Sequence, residues 1–120
     1  MVVTGIGGIF FRAKDPEALL KWYRTHLGIA VEGQMHWNQQ AGPTVFMPFA
    51  HDTDYWPGNK QWMMNFRVTD LDTLLASLRL AGVAVETDPN WDAPEIGRFA
   101  RIHDPEGNPL ELWEPAEGAG

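Results

Sequence analysis

The chain has 120 residues, enough for one domain with one core. Its formal charge of −7 leaves no basic stripe to track nucleic-acid phosphates and disfavours anionic membranes. With no cysteine, disulfides, thiolate zinc sites and a cysteine nucleophile are excluded, and a reducing cytoplasm suits the composition. No charged, long apolar leader opens the chain, and no apolar run is long enough to cross a bilayer, so neither a signal peptide nor a membrane span is expected.

In chain order, residues 6–13 are apolar and β-prone and predict a strand. Asp15 stands where a helix N-cap belongs, with Pro16 at the first helical position. Leu19, Leu20, Tyr23 and Leu27 share one helical face, and Gly28 ends the helix. Strands are expected at 30–38 and 43–49, split by Gln39-Gln40-Ala41-Gly42, before a loop over His51–Gln61. The order then repeats. A strand over 62–68 leads to an Asp70 cap and a helix with Leu71, Leu74, Leu75 and Leu78 on one face, stopped by Gly82. After a loop over Asp88–Gly97, strands at 98–103 and 109–114 flank the turn Asp104-Pro105-Glu106-Gly107-Asn108, in which Pro sets φ and Gly or Asn accepts positive φ.

The two halves also match residue by residue. Phe11, Arg12, Asp15, Leu19, Leu20 and Arg24 stand opposite Phe66, Arg67, Asp70, Leu74, Leu75 and Arg79. After a one-residue gap, Gly28-Ile29-Ala30-Val31-Glu32 aligns with Gly82-Val83-Ala84-Val85-Glu86. The prediction is a single α+β domain over 1–120, built from an internal repeat with one module over about 1–50 and another over about 61–115.

The opening Gly7-Gly8-Ile9-Phe10-Phe11-Arg12, the Asp15-Pro16 start, Trp22-Tyr23-Arg24 with Leu27-Gly28, and the close Asp104-Pro105-Glu106-Gly107-Asn108-Pro109-Leu110-Glu111-Leu112-Trp113-Glu114-Pro115 resemble the vicinal oxygen chelate superfamily. This is the glyoxalase/bleomycin-resistance protein/dioxygenase family. The resemblance implies two βαβββ modules forming a curled mixed sheet, helices outside, a ligand on the concave side, and a homodimer. Strand alternation then sends Ile9, Phe11, Met64, Phe66, Val68, Leu110 and Leu112 toward the helices. The opposite parity lines the cup: Ile6, Gly8, Phe10 and Arg12 from the first copy, then Met63, Asn65, Arg67, Glu111 and Trp113.

In metal-dependent members, four strand positions hold a divalent cation. The resemblance places them at Gly8, Phe46, Met63 and Glu111, of which only Glu111 is a suitable donor, so no metal and no cofactor are expected. His51-Asp52-Thr53-Asp54 has the spacing of a polar turn, His26 suits a helix C-terminus, His36 lies in a strand beside Trp37, and His103 precedes the hairpin turn. Glu111 has two readings: a general base facing substrate, or a carboxylate ion-paired with Arg12 or Arg67. Trp37, Phe46 and Trp113 are cleft-wall candidates, and Tyr55, Trp56 and Trp91 are loop aromatics suited to closing over a ligand or filling a dimer interface.

The expectation is a protein that binds a small, partly aromatic molecule without an intact metal site. Its candidate ligand-binding residues are Phe10, Arg12, Trp37, Phe46, Met63, Asn65, Arg67 and Trp113. The alternative is a lyase, isomerase or dioxygenase of the same superfamily with Glu111 as its catalytic residue. An interaction module with no small ligand is the third reading.

Overall fold

In the computed structural model, which describes residues 2–29 and 36–118, the elements run α1 (Pro16–Leu27), β1 (Met64–Arg67), α2 (Leu71–Leu80), β2 (Gly97–His103) and β3 (Pro109–Pro115). Both helices begin as the repeat predicts. The Asp15 carboxylate accepts from the Ala18 N–H at 3.1 Å, with Pro16 next in line. The Asp70 carboxylate accepts from the Thr73 N–H at 3.4 Å and the Thr73 hydroxyl at 2.7 Å. Each bond satisfies a donor that the first helical turn leaves open.

The ends differ slightly. Gly28 caps α1 in the left-handed region, at φ 69°. In α2 the cap is Ala81, and Gly82, at φ 82°, follows it. Gly82 N–H then reaches the Arg79 carbonyl at 3.0 Å, and Val83 N–H reaches Leu78 at 2.9 Å, the paired closure of a Schellman motif.

The sheet is mixed, with order β1-β3-β2. β1 runs parallel to β3, and β2 runs antiparallel to it. Met64 and Phe66 pair with Leu110 and Leu112, which in turn face Ile102 and Ala100. These residues form the core face, against Leu19 and Tyr23 of α1 and Leu71, Leu75 and Leu78 of α2. Leu20 departs from expectation: it lies off the packed face and is 46% exposed.

The hairpin turn is held by one buried carboxylate. Asp104 Oδ1 accepts from the N–H groups of Glu106 and Asn108 at 2.9 and 3.0 Å. Its Oδ2 accepts from the Tyr23 hydroxyl at 2.7 Å and Asn108 Nδ2 at 2.8 Å. Two glutamates dock the helices on the sheet. Glu106 accepts from the N–H groups of Lys14 and Asp15, and Glu114 accepts from the N–H of Leu71. Each places a carboxylate at a helix N-terminus, where the dipole favours it.

The second copy follows β, α, β, β, and a further extended contact pairs Glu86 with Arg101 across β2. The first copy does not match its prediction. Residues 6–13, 36–38 and 43–49 carry no strand, and residues 30–35 of the expected 30–38 strand lie outside the described residues. Extended propensity becomes a ladder only when a partner strand faces it, and Gly5, Gly7 and Gly8 supply no side chains to pack. A curled sheet of two βαβββ modules is therefore not what the described strands form; they form one three-stranded sheet.

Candidate functional site

The face of the sheet away from the helices carries two transverse rows. Period-two alternation and the strand register fix both. The first row runs Asn65, Glu111, Arg101 across β1, β3 and β2; the second runs Arg67, Trp113, Phe99. Trp113 and Phe99 stack with centroids 6.0 Å apart and planes within 3°. The Trp113 indole N–H donates to the Ile96 carbonyl at 3.0 Å, which fixes the ring.

Glu111 is the centre of the first row and only 8% exposed. Its Oε1 accepts from Asn65 Nδ2 at 2.7 Å, and its Oε2 accepts a short bond from the Tyr55 hydroxyl. Tyr55 arrives from the irregular segment after residue 50, stacks on Phe49 at 5.6 Å, and lies edge-on to Trp56 at 6.4 Å. That segment is tied to the hairpin turn by Lys60, whose Nζ donates to Asn108 Oδ1 at 3.3 Å and to the Glu106 carbonyl at 3.4 Å. Burial, then the hydrogen bond to Glu111 and that residue's charge, raise the Tyr55 phenol to about 12; Arg101 offsets part of the rise.

Arg101 is 9% exposed, and its guanidinium carbon lies 4.8 Å from the Tyr55 ring centroid and 5.3 Å from that of Trp91. Trp91 closes the 3₁₀ turn Pro89–Trp91, which Asp88 caps through the Asn90 N–H at 2.9 Å. Asn65, Glu111, Arg101, Tyr55 and Trp91 thus form one polar and aromatic group over β3.

The expected site residues divide by copy. Asn65, Arg67, Glu111 and Trp113 share the face away from the helices, and Met63 precedes β1, half-buried. Arg67 donates to the Gln40 carbonyl at 2.8 Å instead of to Glu111. The first-copy residues are elsewhere. Phe10 is 96% exposed and Phe46 83% exposed. Arg12 is also exposed and is not among the hydrogen-bond partners of Glu111. Trp37 lies against Phe66, 6.0 Å between centroids, and Phe66 is a core-side residue next to Tyr23. The expected ion pair of Glu111 with Arg12 or Arg67 is replaced by Asn65 and Tyr55 as donors.

Sequence reasoning missed Arg101. Its β2 parity, two residues from Phe99 and opposite to Ile102, was the available signal. Tyr55 was visible only as a loop aromatic, because nothing in a loop's sequence says which strand residue it will meet.

The donor set does not fit a divalent cation. Of Gly8, Phe46, Met63 and Glu111, only the last has a hard donor, and both of its oxygens are engaged by Asn65 and Tyr55. Among the described residues no three His, Cys, Asp or Glu side chains come together. A depression of about 710 Å³ is lined by residues of α1 with Pro105 and Glu106 and contains none of the Glu111 group.

Residues 8–113 match the model of the glyoxalase-like domain. No curated protein matches the sequence significantly. Among solved structures, the chain is similar to TnmS3, an antibiotic binding protein from Streptomyces sp. CB03234, with 21% identity, TM-score 0.59, and 97% of this chain and 99% of that one covered. It is also similar to a member of the glyoxalase/bleomycin resistance protein/dioxygenase superfamily from Sphaerobacter thermophilus DSM 20745, with 18% identity, TM-score 0.57, and 95% and 99% covered. At these identities the structural likeness speaks for the fold, and the sequence match covers most of the chain. This chain therefore belongs to the glyoxalase-like domain family, within the vicinal oxygen chelate superfamily.

Proposed function

We propose that the chain binds a small, partly aromatic molecule on the polar face of β3, in a concave cleft with no intact metal site. The row Asn65–Glu111–Arg101, bordered by the rings of Tyr55, Trp91 and Trp113, is the observation that carries this reading. Such a surface offers π-faces for stacking and a few fixed polar groups for orientation. A structural neighbour described as an antibiotic binding protein supports the same class of function. Tyr55 stands on an irregular segment, and its displacement uncovers the Glu111 carboxylate for a guest.

The reading extends to the first copy. Phe10, Arg12, Trp37, Phe46 and Met63 join the cleft wall when residues 6–13 and 43–49 pair as strands and complete a βαβββ module. A second copy of the chain supplies that pairing, giving a homodimer, and the cysteine-free composition suits the cytoplasm. The exposed side chains of Phe10, Phe46, Val45 and Met47 support a missing cover.

The test is a thermal-shift screen of planar aromatic compounds beside zinc, nickel, manganese and iron(II). An aromatic at 100 times its Kd is expected to stabilise the fold by about 2.7 kcal/mol. A stoichiometric divalent ion that raises the melting temperature, with no aromatic doing so, overturns the reading.

The Tyr55–Glu111 contact favours a second reading, a lyase, isomerase or dioxygenase in which the pair relays a proton to or from substrate. Glu111→Gln decides between the two: turnover lost with ligand affinity kept means an enzyme, and a wild-type chain with no turnover of any ligand it binds means a binder.

A further inference from the structure

The guanidinium of Arg101 has an unmet requirement. Its Nε and Nη2 are inaccessible to solvent and have no hydrogen-bond partner among the described residues. Burying donors on a charged group without acceptors is costly, and native proteins rarely leave such atoms orphaned. The nearest carboxylate by register is Glu111, Arg101's direct partner across β2 and β3. Both Glu111 oxygens nevertheless accept from other donors, Tyr55 and Asn65. Among the described residues a salt bridge joins Arg98 to Asp72 and His103 Nδ1 lies 3.9 Å from a Glu86 oxygen, and neither contact involves Arg101.

The identity of the two atoms matters. Nε and Nη2 form one edge of the planar guanidinium, two parallel N–H bonds spaced to meet both oxygens of a carboxylate. The ring of Tyr55 at 4.8 Å and that of Trp91 at 5.3 Å flank the same group. Rings so placed hold the guanidinium in a cation–π arrangement and leave its orientation little freedom.

We propose that Arg101 is the specificity-determining residue of the cleft, and that its Nε–Nη2 edge takes the carboxylate of a planar aromatic acid in a bidentate, side-on contact. This inference rests on the binding reading above and names its ligand class. Trp91, and Tyr55 once displaced as in the binding reading, border the ligand ring, and Glu111 and Asn65 lie one and two strands away along the row.

The experiment compares 2-naphthoate with its neutral isostere 2-naphthamide, each titrated against tryptophan fluorescence of the full chain. In the wild type, naphthoate is expected to bind at least about tenfold tighter, as charge-assisted paired bonds require. Arg101→Gln is expected to abolish that preference, bringing the two Kd values within about twofold of each other. Arg101→Lys keeps the charge but not the fork, and is expected to retain only part of the preference. Glu111→Gln, by removing the neighbouring negative charge, is expected to widen the preference for naphthoate over naphthamide.

The wild-type comparison needs no variant, so it decides the matter even where a substitution prevents folding. Equal affinities for the two probes, or a preference that survives Arg101→Gln, overturn the assignment of Arg101 and leave aromatic binding standing. Binding of neither probe, with no other planar aromatic stabilising the chain, overturns both.

Discussion

At the scale of single residues, both tyrosines are held by carboxylates of the β2–β3 hairpin. Tyr23 donates to Asp104 under the core, and Tyr55 donates to Glu111 on the other face of the sheet. In both, burial is the largest cause of an upward shift from the ordinary phenol value of 10.0, followed by the hydrogen bond to the carboxylate and its charge. Because the neutral phenol is the donor, each contact's contribution is fully present below pH 10 and is lost as pH rises through the folded value, about 12 for Tyr55. These are the chain's only tyrosines. Phenolate absorbance of the native protein is therefore expected to stay absent through pH 10, and to appear there once the chain is unfolded in denaturant. A native transition near pH 10 would place one tyrosine outside its contact.

At the scale of elements, the hairpin of β2 and β3 is the piece on which the rest is mounted. Its turn depends on Asp104, which accepts four hydrogen bonds while only 4% exposed. Asp104→Ala leaves several buried donors unmet and is expected to cost about 2–4 kcal/mol, measured by urea denaturation. The hairpin's open end depends on Gly97, at φ 133°, where a Cβ would run into the Glu114 carbonyl and lie 2.8 Å from Trp113 Nε1. Gly97→Ala is expected to cost more than about 2 kcal/mol and to disturb the Trp113 stack. Gly107→Ala, also at positive φ but in open space, is expected to cost only about 1 kcal/mol. Near equality of the two glycine variants in the same denaturation measurement would show that the close approach at Gly97 relaxes without strain.

At the scale of the whole molecule, the halves of a repeated sequence have different fates. The second copy builds the sheet, and the first contributes α1 and irregular stretches with exposed Phe10, Phe46 and Val2. If a second copy of the chain covers those stretches, sedimentation is expected to give twice the 13.5 kDa chain mass, and Phe46→Glu is expected to return it to one. A single-chain mass at micromolar concentration would leave the first copy to close on its own sheet. The helices, their Asp15 and Asp70 caps, the hairpin turn and the shared parity of Asn65, Arg67, Glu111 and Trp113 were all legible in the sequence, because capping, turn conformation and strand alternation act over a few neighbouring residues. The donors to Glu111, the position of Trp37 against Phe66 and the unmet edge of Arg101 were not. They depend on which distant segments meet, and the tertiary structure alone decides that, since a loop's composition carries no record of the strand it will cover.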